Sequence, residues 1–197
     1  MDPKEVYLSK PWLKHYPKQV PAEVPIPDKS IIQAFDEAVE EWGKKKTAII
    51  NYGLKISYGE LNELSDRFAT ALWDFGVRKG DRVALHMVNC PQFVIAFLGI
   101  MRIGAVMTPI SPVYVSPEIK YQLENSEAET LVGLDLLYDS VERTGVKLKN
   151  VILTSIADYL PRTMKLMGQS ILRGVYQKMA VPPAQRHSSL GRYNEEI

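Results

Sequence analysis

Between Arg82 and Thr154 the chain switches repeatedly, at short intervals, from strand-like to helix-like patterning, and this alternation limits its fold more than any other feature. Arg82-Val83-Ala84-Leu85-His86-Met87 reads as a strand, and Pro91 to Ile103 as a helix that is apolar on most faces and hence buried. Ala105 to Ile110 reads as a second strand, followed by a helix capped at Ser116-Pro117 and running through Leu123. Thr130 to Gly133 is a third strand, Leu136 to Arg143 a helix, and Val151 to Thr154 a fourth strand. Strands joined through intervening helices by short connections build a parallel sheet with right-handed crossovers, so the expected fold class is α/β.

The sequence before Arg82 reads differently. Pro3, Pro11, Pro17, Pro21, Pro25 and Pro27 restrict the first 28 residues, which predicts an extended arm, not a helix, anchored by Trp12 and Tyr16. Ser30 to Trp42 carries Ile31, Ile32, Phe35, Ala38 and Val39 at helical spacing. Thr47 to Asn51 and Leu54 to Ile56 flank Tyr52-Gly53 as a small hairpin. Ser57-Tyr58-Gly59-Glu60 has the capping-box pattern, and the helix after it stops at Gly76. The expected organisation is an arm over 1–28, an α/β unit over 29–155 and a basic amphipathic segment over 156–197.

Charge supports that last division. The chain of 197 residues has a formal net charge of +1, which argues against a nucleic-acid partner. From Tyr159 to Asn194, however, there are six basic residues and no acidic one. Leu160, Met164, Met167, Ile171, Val175 and Met179 recur at helical spacing within that stretch. Residues 159–180 are therefore expected to form a helix or two. A basic amphipathic stretch of this kind can lie on an anionic membrane surface, the alternative being that its apolar stripe packs onto the rest of the protein. The single cysteine, Cys90, points to a reducing cytoplasmic location, with membrane association at the inner face if the basic stretch binds lipid. No apolar run long enough to span a bilayer occurs, and the first residues do not read as a signal peptide.

Several of these segments together resemble the adenylate-forming enzymes, a superfamily that includes the AMP-forming acyl-CoA synthetases. The matching motifs are Ser57-Tyr58-Gly59-Glu60-Leu61, Gly80-Asp81-Arg82-Val83-Ala84, Asn89-Cys90-Pro91-Gln92-Phe93, and Gly99-Ile100 with Gly104-Ala105, Pro109 and Pro112. Trp12-Leu13-Lys14-His15-Tyr16-Pro17, Val20-Pro21 and Val151-Ile152-Leu153-Thr154 are most similar to long-chain fatty acid–CoA ligases. The resemblance implies part of the family's large amino-terminal domain. It also implies a parent reaction in which ATP, a fatty acid and CoA give acyl-CoA, AMP and pyrophosphate, with Mg²⁺. Two other readings stand beside it: an adenylate-forming ligase for a short-chain or aromatic acid, and a non-catalytic scaffold on the same fold.

Most of the motif residues are explained as caps, turns and helix stops. The family's glycine-rich phosphate loop and its Tyr-Gly-x-Thr-Glu segment have no counterpart among the 197 residues. The sequence therefore offers no catalytic residue, and this segment is expected to bind no ATP, Mg²⁺ or CoA by itself and to be inactive. His15, His86 and His187 are scattered, so no metal site is expected. Ligands of open parallel sheets sit beyond the carboxyl ends of the strands, which makes Asn89, Ser111 and Pro112 the candidate substrate-contacting residues. An incomplete domain leaves apolar surface uncovered, so a homodimer is a further expectation.

Overall fold

A computed structural model describes residues 2–161 and divides the chain into two compact units, one ending at Ser30 and the other beginning at Ile31. In the first unit, helix α1 (Pro3–Leu8) and a 3₁₀ turn (Pro11–His15) interrupt the extended arm expected from its prolines. The reason is local. Asp2 caps α1 by accepting from the Lys4 N–H, and Pro3 and Pro11 occupy first-turn positions, where a missing N–H costs nothing. From Tyr16 to Ser30 the chain runs through turns and irregular backbone.

The second unit starts with α2 (Ile31–Trp42) and a hairpin of β1 (Thr47–Asn51) and β2 (Leu54–Ser57). Helix α3 (Tyr58–Asp74) opens with the predicted capping box: the Ser57 hydroxyl accepts from the Glu60 N–H, and the Glu60 carboxylate accepts from the Ser57 N–H at 2.7 Å. It closes in a Schellman motif, with Gly76 N–H on the Trp73 carbonyl and Val77 N–H on that of Leu72. Gly76 has φ +85°, which favours a residue without a Cβ.

Then come β3 (Arg82–His86), α4 (Pro91–Arg102), β4 (Val106–Ile110), α5 (Ser116–Ser126), β5 (Thr130–Leu134), α6 (Tyr138–Glu142) and β6 (Asn150–Thr154). The four strands form one parallel sheet in the order β4-β3-β5-β6. Because β3 to β4 runs one way across the sheet and β4 to β5 runs back, right-handed crossovers must place α4 and α5 on opposite faces. The core has that arrangement. Leu61, Phe68, Leu72, Val83, Leu85, Ile95 and Ile100 fill the side of α3 and α4, whereas Ala84, Ile110, Ile119, Leu123, Leu131 and Val141 fill the side of α5 and α6. Val83 and Leu85 belong to one cluster and Ala84 to the other, as the two-residue alternation of a strand requires. Pro109 sits on an edge strand, where its missing N–H breaks no ladder.

Two local readings are corrected. The cap residue of α5 is Val115, not Ser116; the Glu118 carboxylate accepts the Val115 N–H and so satisfies that donor without a cap hydroxyl. At its start, the expected helix over 159–180 is instead the end of a 3₁₀ turn (Ile156–Tyr159), after which Leu160 is extended, because Asp158 accepts the Ser155 N–H and closes the turn. The rest of that stretch, from Arg162, and the membrane contact expected of it lie outside the described residues. No described helix is long and apolar enough to cross a membrane.

Candidate functional site

A parallel sheet offers one chemically distinct edge, the carboxyl ends of its strands, and the direction of the crossovers reverses between β3 and β5. The residues leaving the strands there are Met87 to Cys90 after β3, Ser111 and Pro112 after β4, Asp135 after β5, and Ser155 after β6. Asn89 is exposed, while Ser111 and Pro112 are half-buried. The sequence-derived candidates thus share one edge of the sheet. Asn89 leaves β3, which borders the reversal point between β3 and β5, whereas Ser111 and Pro112 leave β4, one strand further out. Of three clefts among the described residues, one lies at the amino-terminal edge of the sheet by Arg82, Thr130 and Asn150, one on α5 by Tyr114 and Tyr121, and one between β2 and α3, closed at one side by Asp158 and Tyr159 from the turn after β6.

The polar groups concentrated at the carboxyl edge are ones that residue patterning did not single out. Gln92, in the first turn of α4, is 0% exposed; its amide nitrogen donates to the Ser155 carbonyl at 2.8 Å and lies 3.5 Å from the Thr154 hydroxyl. That hydroxyl donates to Asp158 at 3.2 Å. A chain of hydrogen bonds therefore ties the start of α4 to the end of β6. The Gln92 Oε1 atom has no partner among the described residues. His86, at the end of β3, is 1% exposed, with Nδ1 donating to the Ile110 carbonyl at 3.3 Å and Nε2 unpartnered among the described residues. The available signal was a polar residue inside an otherwise apolar run, His86 after Val83-Ala84-Leu85 and Gln92 before Phe93-Val94-Ile95. Gly133 lets the backbones close up beside it, since a Cβ there would stand 3.2 Å from the His86 carbonyl oxygen.

Burial pushes the His86 pKa below the ordinary value of 6.5, the Ile110 carbonyl opposing this in part. The imidazole is consequently neutral at pH 7. Above pH 6.5 neither state binds the proton; as pH falls below 6.5 towards the folded value, the unfolded chain takes up the proton first, and stability is lost. The unfolding midpoint in urea is expected to drop between pH 7.5 and 5.5, and His86→Gln should flatten that slope. An equal slope in both proteins would assign the acid sensitivity to other groups.

The Cys90 thiol makes no cap hydrogen bond to α4 and donates to Met87 Sδ at 3.9 Å; burial pushes it above the ordinary value, so it lacks the character of a nucleophile. Among the described residues, no three His, Cys, Asp or Glu side chains are grouped to hold a metal ion. The unpartnered Gln92 and His86 atoms are buried, and the described edge presents no nucleophile paired with a base.

The sequence pattern of the family described as AMP-binding enzyme matches residues 35–184. A long-chain-fatty-acid–CoA ligase of Bacillus subtilis is 34% identical over 158 residues, covering 77% of this chain and 27% of that protein. Among solved structures, a long-chain-fatty-acid–CoA ligase from Archaeoglobus fulgidus superposes with a TM-score of 0.62 at 27% identity, over 70% of this chain and 30% of the other. A benzoate CoA ligase from Burkholderia xenovorans superposes with a TM-score of 0.59 at 26% identity, over 64% and 26%. The chain spans 26–35% of the length of the curated relatives it matches.

Proposed function

This chain belongs to the AMP-binding enzyme family, and we propose that it is the amino-terminal portion of an AMP-forming ligase that activates a long-chain fatty acid as its CoA thioester. The observation that carries the choice of substrate is the 34% identity to a long-chain-fatty-acid–CoA ligase across 77% of the chain. In the proposed reaction a fatty-acid carboxylate oxygen bonds to the α-phosphorus of ATP and pyrophosphate leaves. The CoA sulfur then bonds to the acyl carbon, AMP leaves, and the thiol proton goes to solvent. Developing negative charge on phosphate oxygens calls for backbone amides and cations aimed at them. The described residues supply a different part: a rigid sheet whose carboxyl edge carries Asn89, Ser111 and Pro112, offered as residues lining the pocket.

The purified 197-residue chain is expected to catalyse no palmitate-dependent ATP–pyrophosphate exchange, whereas the same sequence continued to the full length of its relatives should do so. Exchange by the short chain would move the reactive groups into these residues; inactivity of the long form on every acid tested would remove the enzymatic reading. A second reading, a ligase for an aromatic acid, draws support from the benzoate CoA ligase structure, whose TM-score is nearly that of the fatty-acid enzyme. Faster exchange with benzoate than with palmitate would favour it.

A further inference from the structure

His86 is a polar residue held inside an apolar face. Two residues after Ala84 on the same strand, its side chain points to the side of the sheet that Ile110, Ile119, Leu123 and Leu131 fill, and it is 1% exposed. A buried imidazole costs stability unless its nitrogens are bonded, and only one of them is bonded among the described residues: Nδ1 donates to the Ile110 carbonyl at 3.3 Å.

That bond falls at a particular place. The paired register of β3 and β4 ends at His86 and Ile110. In the described sheet β4 pairs with β3 and with no other strand, so its last residue is held from one side only. The ring therefore holds the backbone at the last point before the chain leaves the sheet. What leaves is short. Ser111, Pro112, Val113 and Tyr114 make a β-turn in which the Tyr114 N–H donates to the Ser111 carbonyl at 3.2 Å, with proline at the position whose φ it presets. Val115 then caps α5, its N–H donating to the Glu118 carboxylate at 2.9 Å. The turn is thus fixed at Val115 on the helix side and at Ile110 on the strand side, where His86 supplies a side-chain bond.

We propose, on the ligase reading above, that His86 is a positioning residue for the acid substrate: its ring holds the Ser111–Tyr114 turn in the pose in which Ser111 and Pro112 line the pocket. It touches no reacting atom.

The test compares two variants. His86→Leu removes the donor and also removes Nε2, a buried atom without a partner among the described residues, so the urea midpoint at pH 7.5 should stay close to that of the unchanged chain. His86→Asn keeps an N–H donor on a short side chain. In the 197-residue chain, amide hydrogen exchange at Tyr114 should be about fivefold faster in His86→Leu and nearly unchanged in His86→Asn. In the sequence continued to the full length of its relatives, His86→Leu should raise the KM for palmitate about fivefold with little change in kcat, and His86→Asn should restore it. If His86→Leu does not fold, His86→Met replaces it with the same expected effects, because methionine fills irregular gaps. Unchanged exchange at Tyr114 overturns the proposal, as does an equal rise in KM for the leucine and asparagine variants. If the continued chain activates palmitate and His86→Leu leaves its KM unchanged, the proposal alone falls; if the continued chain activates no acid, the ligase reading falls and takes the proposal with it.

Discussion

Gly99→Leu is expected to lower stability by about 3 kcal/mol or more and to take roughly 10 °C off the thermal midpoint, because two helices meet at that residue without room for a side chain. A Cβ at Gly99 would stand 2.7 Å from the Phe68 ring, 3.1 Å from the Ser65 carbonyl oxygen and 3.2 Å from the Ala69 nitrogen. The ring could give way alone; the two backbone atoms belong to α3 and move only if the helix moves. Both flanking surfaces are fully packed, with Phe68 and Ile100 buried in one cluster against the sheet. Gly99→Ala is the informative control. Alanine gains about 1 kcal/mol of helix propensity and pays part of the overlap, so the net loss should be near 1 kcal/mol. A neutral or stabilising leucine, measured by urea unfolding, would show that α3 and α4 are not held at this spacing.

Arg102→Ala should cost about 2 kcal/mol, or about 4–8 °C in midpoint. The side chain is 14% exposed and joins three helices. Its Nη2 donates to Asn62 at 2.7 Å and to Asp36 at 3.2 Å; its Nε donates to Ser65 at 3.0 Å and lies 3.0 Å from Asp66. The guanidinium also stands 5.8 Å from the centre of the Phe35 ring. Asp36 and Asp66 are half exposed, so their charges stay hydrated when the arginine is lost. That keeps the loss below the 3–5 kcal/mol typical of a broken buried pair. Arg102→Lys retains the charge but not the fork of donors, and should fall between the two. An unchanged midpoint for the alanine variant would mean that packing, not this cluster, fixes α2 against α3 and α4.

Neither Gly99 nor Arg102 could be ranked from the sequence. Gly99 reads as one glycine of a family motif inside an apolar helix, with no sign of what it faces, and Arg102 as an ordinary basic residue near a helix end. Each matters because of what faces it across another helix, and one-dimensional periodicity says which side of a helix is apolar without saying what it meets. The same limit applies at the sheet edge. Asn89, Ser111 and Pro112 follow from a rule about strand ends that needs only the β-α alternation. Gln92 and His86 stand out only once their buried, unpartnered atoms are located, 62 residues apart in the case of Gln92 and Thr154.

What the residues determine by themselves is local and periodic. The capping box at Ser57 and Glu60, the stop at Gly76, the turn at Tyr52-Gly53 and the strand–helix alternation from Arg82 all depend on groups a few residues apart, so adjacent sequence encodes them. Tertiary structure alone decided the strand order β4-β3-β5-β6, the split of the core across two faces, and the meeting of Asn51 with Tyr159. Those depend on groups far apart in the chain, whose encounter is governed by shape, burial and crossover handedness and leaves no mark in any short window of sequence.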